Sequence, residues 1–225
     1  MPRYIFTNVG RGNLYRQARA FLVSKSIAFT YGRRGWVEIG ESDGRIDEKY
    51  RLRLAFPKRK WRTVFPHTHT PVTFLAKQAA TATTHKAAEG YSGGWPDKWW
   101  VRVDFGDVVL YNGHMPPGAF NANKNERLEK QRLEEWHNMW DELKRLVKKD
   151  NDNDRNVVIM TDANRQVNMP LPHPRAKLAN RHKTDYIWAV PKDGWRMDLG
   201  KTGEKELGID FHKSIWADID WTRSR

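Results

Sequence analysis

The chain has 225 residues, 39% of them hydrophobic, with 40 Lys+Arg against 27 Asp+Glu and a formal net charge of +13. That suits one globular domain with a sizeable core. Cysteine is absent, which excludes a disulfide scaffold, Cys-ligated zinc and a thiol nucleophile, and no run of about 18 apolar residues offers a membrane-spanning helix.

The opening MPRYIFTNVGRGN carries no signal-peptide pattern, so a cytoplasmic protein is expected. Tyr4–Val9 reads as a short strand. Asn13–Ser26 places Leu14, Ala18 and Leu22 on one helical face. Gly35–Gly40 alternates as a buried strand, and Arg45–Ala55 is expected to be helical. Trp61–Phe65 and Val72–Ala76 look like paired strands. Residues Lys77–Lys98 are Ala/Thr/Gly-rich and aperiodic, which predicts an insertion loop around 77–98. Trp99–Phe105 and Val108–His114 form a hairpin pattern with Gly106-Asp107 at the turn. Asn125–Lys149 repeats Trp136, Trp140, Leu143 and Val147 at helical spacing, with charges between. Asn156–Thr161 is a core strand after the polar run Asp150–Asp154, read as a solvated turn. Pro-rich, basic Val167–Lys183 reads as loop. Thr184–Val190 and Ser214–Asp220 close the chain as strands. The expectation is one domain, residues 1–225, with two sheets packed together and helices outside.

The polar residues at the predicted strand ends are the chemical signal. Asn8, Glu41, Asn112, His114, Asp162, Asn164, Asp185, Asp210 and His212 all sit where a strand begins or ends. Carboxylates and amide oxygens suit a hard cation such as Mg²⁺. Histidines supply proton transfer or a phosphate donor near neutral pH.

In this order the motifs resemble the endonuclease/exonuclease/phosphatase superfamily, the DNase I-like fold. Thr7-Asn8-Val9 matches the Asn-Val pair that ends the family's first strand. Ile39-Gly40-Glu41 matches the strand ending in a metal-binding Glu, with Gly40 in the usual Gln position. Asn112-Gly113-His114 stands for Asn-Thr-His, and Arg127 and Gln131 for the helix that follows. Thr161-Asp162-Ala163-Asn164 stands for Gly-Asp-Phe-Asn, and Asp185-Tyr186-Ile187 for the Asp-Tyr-Ile strand. The last motif departs: Ile209-Asp210-Phe211-His212 keeps the His but has Phe211 where the family has Asp. Each motif alone is weak, and their shared order is the signal.

The resemblance implies a four-layer α/β/β/α sandwich of two mixed sheets flanked by helices. It implies a Mg²⁺- or Mn²⁺-dependent phosphodiesterase. Glu41 would bind the metal, with Asn8 nearby and Asp210 able to join if its loop bulges. Asp162 would orient or deprotonate water, and Asn164 would hold the scissile phosphate. His212 would contact phosphate or take a proton, with Asp185 fixing its tautomer. His114 would serve the phosphate or leaving group. Arg11, Asn112 and Arg127 are the further phosphate-binding candidates.

Simpler readings stand beside these. Asn8 suits a turn cap, Glu41 an exposed charge, and Asp162 with Asn164 an Asx-turn. His67 and His69 read as plain loop. The basic groups Lys58, Arg59, Lys60 and Arg62, then Arg175, Lys177, Arg181 and Lys183, have little compensating acid and are candidates to track a nucleic-acid backbone. Trp95, Trp99 and Trp100 are candidates to stack on bases. The charge favours nucleic acid among the substrates that the resemblance implies; DNA, before RNA, is the expected substrate, with no membrane partner and a monomer favoured. Two alternatives remain: a non-catalytic nucleic-acid-binding or assembly protein that kept the fold, and a phosphatase or phosphodiesterase acting on a lipid or small phosphate ester.

Overall fold

The first strand, β1 (Arg3–Thr7), is buried along its whole length. The computed structural model describes residues 2–7, 22, 23, 26, 39, 40, 62–64, 74–76, 81–89, 97–120, 126–206 and 213–224. β1 pairs antiparallel with β12 (Lys213–Arg223) and parallel with β2 (Ile39–Gly40). β11 (Trp195–Glu206) lies on the outer side of β12, completing a mixed four-stranded sheet in the order β11-β12-β1-β2.

The second sheet has six strands, ordered β5-β6-β7-β8-β10-β9. They are β5 (Thr81–Ala88), β6 (Lys98–Asp104), β7 (Val108–His114), β8 (Asn156–Asp162), β9 (Lys177–His182) and β10 (Asp185–Val190). Only β7 and β8 in this sheet run parallel, and the helix α1 (Glu126–Asp152) makes the crossover between them. Gly106 turns the β6–β7 hairpin at φ +90°, a backbone conformation that favours glycine. β3 (Arg62–Val64) and β4 (Phe74–Ala76) form the expected antiparallel pair.

Alternation sorts the side chains into two cores. Tyr4, Phe6, Ile215, Ala217 and Ile219 of one sheet meet Val101, Leu110, Val158, Met160, Ile187 and Ala189 of the other. The opposite face of the six-stranded sheet takes α1 through Trp136, Trp140, Leu143 and Val147, the four residues whose spacing predicted the helix. Asn180 Nδ2 joins the sheets by donating to the carbonyls of Gly203 (2.9 Å) and Trp216 (2.8 Å).

Several expectations need correction. Thr81–Ala88, inside the expected insertion loop, is an edge strand paired with β6. Lys177–His182, inside the expected loop 167–183, is the opposite edge strand. β11 went unrecognised altogether. Leu22 is helical but exposed, so it does not mark a buried face. Asp150 and Asn151 are buried rather than part of a solvated turn. The helix expected over Arg45–Ala55 lies outside the described residues, as do His67 and His69.

Candidate active site

Three neighbouring strands end at one edge of the interface between the sheets. On β7, Val108 and Leu110 belong to the inter-sheet core, so Asn112 and His114 continue that face. The same parity carries Asp162 beyond Val158 and Met160 on β8, and Asp185 before Ile187 and Ala189 on β10. The register aligns them, with His114 opposite Asp162 and Asp162 opposite Asp185. The result is a row His114–Asp162–Asp185, with Asn112 one same-face step inside it.

Asp162 and Asp185 are both buried, at 2% and 1% exposure. Directly opposed carboxylates on adjacent strands repel, so this pairing favours a cation or a donor group. Asp162 Oδ1 accepts the backbone N–H of Asn164 at 2.9 Å. Its Oδ2 lies 3.7 Å from His114 Nδ1, beyond hydrogen-bond length. Asn164 occupies the left-handed region at φ +49° and donates Nδ2 to the Met115 carbonyl at 2.9 Å. Asn112 is fully buried, and among the described residues neither its Oδ1 nor its Nδ2 has a hydrogen-bond partner. An orphaned buried amide is costly and calls for a ligand.

The other face of the strand ends explains two sequence departures. A Cβ on Gly113 would come within 2.5 Å of the Trp100 ring, so Gly113 leaves room for that buried tryptophan. Thr161 pairs with Gly113 across the ladder, and its hydroxyl donates to the Gly113 carbonyl at 2.6 Å. Both changes fall on the helix side, away from the acting row.

No family model matches this sequence, and no curated protein matches it. Solved structures do. Danio rerio TDP2 in complex with a single-strand DNA product superposes with a TM-score of 0.61 at 11% identity, over 97% of this chain and 98% of that one. An endonuclease/exonuclease/phosphatase protein from Beutenbergia cavernae gives 0.61 at 13% identity, over 97% and 71%. A mannosyl-6-phosphatase from Bacteroides thetaiotaomicron gives 0.57 at 10% identity, over 98% and 100%. The chain has the DNase I-like fold of the endonuclease/exonuclease/phosphatase proteins. Two packed mixed sheets are as the motifs implied. Of the flanking helices, the described residues give α1 in full.

In the DNase I-like frame, Asn112, His114, Asp162, Asn164 and Asp185 come together. Asn8, Arg11, Glu41, Asp210 and His212 lie outside the described residues, although β1 ends at Thr7 and β12 begins at Lys213. Among the described residues no group of three His, Asp or Glu is placed to hold a metal. Asn112 Oδ1, Asp162 and Asp185 nevertheless supply hard oxygens of the type Mg²⁺ takes. Arg127 is exposed in the first turn of α1 and, among the described residues, makes no hydrogen bond to the row.

The basic candidates divide. Lys58, Arg59 and Lys60 lie outside the described residues, and Arg62 opens β3. Lys183 lies in the β9–β10 turn, two residues before Asp185, and Arg181 pairs with Tyr186 next to it. Lys177 pairs with Ala189 near the other end of β10. Arg175 is likewise far from the row, ion-paired with Asp193 and bonded to Asn151. The seven-residue β8 puts about 20 Å between the two ends. Trp100 is fully buried, with Nε1 donating to the Met139 carbonyl, so it cannot stack on a base; Trp95 lies outside the described residues. Sequence reading missed Arg165, whose only signal was its place beside Asn164.

Proposed function

We propose that this chain is a metal-dependent phosphodiesterase that hydrolyses DNA. The supporting observation is the row His114–Asp162–Asp185 on adjacent strands, beside the unpartnered Asn112. Asp162 orients and deprotonates the attacking water, because its Oδ1 is already fixed by Asn164 and its Oδ2 faces His114. Asn164 holds the scissile phosphate with the amide hydrogen left after its bond to Met115. His114 donates to a phosphate oxygen or the leaving oxygen, and Asn112 orients the phosphate from below. Asp185 fixes the tautomer of His212.

Asn8, Glu41 and Asp210 would hold Mg²⁺ or Mn²⁺, with Asp162 and Asp185 contributing negative charge. When bound, such a cation neutralises charge that develops on phosphoryl oxygens. Arg11 and Arg127 are assigned to flanking phosphates. Lys58, Arg59, Lys60, Arg62, Arg181 and Lys183 are assigned to the nucleic-acid backbone. The net charge of +13 favours this polyanion, and the DNA product in the Danio rerio TDP2 structure is consistent with it.

Supercoiled plasmid tests the reading. Nicking is expected in Mg²⁺ or Mn²⁺, blocked by EDTA and lost in Asp162→Ala and His212→Ala. Salt-sensitive plasmid binding without nicking would leave a binding protein and overturn the enzyme. The likeness to the mannosyl-6-phosphatase supports a second reading, a small phosphomonoester substrate. Phosphate release from sugar phosphates without plasmid nicking would select it.

A further inference from the structure

We infer that Arg165 is a substrate-binding residue that grips a phosphate next to the scissile one in a single nucleic-acid strand; this rests on the phosphodiesterase reading. Arg165 directly follows Asn164 and is the third residue after Asp162, which limits their Cα separation to about 11 Å. Its guanidinium carbon lies 4.3 Å from the ring centroid of Phe120 and 5.3 Å from that of Trp136. Those rings meet edge to face at 5.0 Å, and Trp136 is locked by donating Nε1 to the Ala163 carbonyl at 2.8 Å.

The backbone beneath is held as firmly. Arg165 Nε donates to the Val167 carbonyl at 3.0 Å, and the Tyr186 hydroxyl donates to the Arg165 carbonyl at 2.8 Å. Neither terminal nitrogen of Arg165 makes a hydrogen bond among the described residues. Arg181 supports the same loop. It lies over the Tyr186 ring at 5.9 Å and donates Nη1 to the Gln166 carbonyl at 3.4 Å.

A guanidinium laid on aromatic rings, with both amino ends unused, is organised before any ligand arrives. Its planar fork matches phosphate oxygens, and little side-chain entropy remains to be lost on binding. Its position beside Asn164 gives it the neighbouring phosphate of the same strand rather than the scissile one. A lone phosphomonoester would have nothing for it to hold.

The test is anisotropy of a fluorescein-labelled oligothymidylate in EDTA, over a range of salt, with wild type, Arg165→Ala, Arg165→Lys and Phe120→Leu. Arg165→Ala is expected to weaken binding about tenfold and to reduce the salt slope by about 0.7, the share of one single-strand phosphate contact. Arg165→Lys keeps the slope but loses part of the affinity, because the ammonium has no plane for Phe120 to hold. Phe120→Leu weakens binding with the charge intact. An Arg165→Ala protein that binds within about twofold of wild type, or with an unchanged slope, overturns the inference. So does a wild type that does not bind the oligonucleotide. Plasmid nicking by wild type separates the two claims. Binding that depends on Arg165 without nicking keeps the grip and loses the reaction. Nicking with binding indifferent to Arg165 does the reverse.

Discussion

The two ends of the six-stranded sheet use similar residues to opposite effect. At the end of β8 that carries Asp162, buried polar groups are left with bonding capacity in hand. Among the described residues Asn112 has no hydrogen-bond partner, and Asp162 stands opposite Asp185 in the ladder. At the other end, beneath the last turn of α1, capacity is used. Asp150 accepts Arg102 through both oxygens at 2.8 Å and also accepts the Tyr111 hydroxyl. Asn151 donates to the carbonyls of Arg155 and Pro191 and accepts Arg175. The bond to Asp150 holds the Arg102 guanidinium above its ordinary pKa, while burial pushes the Tyr111 phenol up. Satisfied polar groups lock a structure, whereas unsatisfied ones await a ligand.

Substitutions at each end put this contrast at risk. The largest effect is expected from Asp162→Ala, which should lower plasmid-nicking kcat/KM at least about a thousandfold. Its Tm should fall less than that of an Asp150→Ala protein, since the bond to the Asn164 N–H is lost together with one of two opposed carboxylates. A large fall in Tm would place Asp162 with the structural end. Asp150→Ala should do the converse. It strands the Tyr111 hydroxyl and leaves Arg102 with Asp104 alone, at a cost of about 3 kcal/mol, read as a Tm lower by roughly 6–12 °C. Nicking per folded molecule should stay at the wild-type rate.

Asn112→Leu sharpens the comparison further. Replacing an unpartnered buried amide with an apolar group of similar size should raise urea-unfolding stability by about 1–2 kcal/mol while reducing nicking. Destabilisation on the scale of Asp150→Ala would mean that Asn112 has a structural bond. The smallest effect concerns His173, at the locked end, where Nδ1 accepts the Arg175 N–H at 3.2 Å. Burial, with Arg175 adding to it, holds this imidazole below its ordinary 6.5. Its proton therefore binds more readily to the unfolded chain. The contribution is complete above 6.5 and is lost as pH falls through 6.5 toward the lower folded value. His173→Asn, which keeps an acceptor, should flatten the acid side of the Tm profile by about a degree or two.

What the sequence revealed tracks how much of each element is buried. The six-residue β10 is buried throughout, as is β8, and both were legible as apolar runs. α1 showed itself through its tryptophans. The overlooked strands β5, β9 and β11 are all sheet edges. β5 reads TATTHKAA, β9 KLANRH, and β11 ends GKTGEKE, all largely polar. An edge strand is held by its neighbour's backbone ladder and is commonly charged on purpose against further pairing. Its side chains therefore lack the alternation that periodicity detects.

For the site, strand-end chemistry picked out Asn112, His114, Asp162, Asn164 and Asp185, because a polar residue that interrupts an apolar face is visible in sequence. Location was not visible for the cations. Arg175 and Arg181 looked alike in a basic stretch, yet one neutralises Asp193 far from the row and the other supports the loop beside it. Nor did sequence show that Asp150, read as part of a solvated turn, is buried and paired with Arg102. By itself the sequence determined the order of core strands, the buried face of α1 and which polar residues end the strands, since local periodicity encodes burial. Only the tertiary structure decided which of those groups meet, which are already satisfied and where the positive charge stands. Those properties depend on strand register and on partners distant in sequence, such as Arg102 for Asp150 and Phe120 for Arg165.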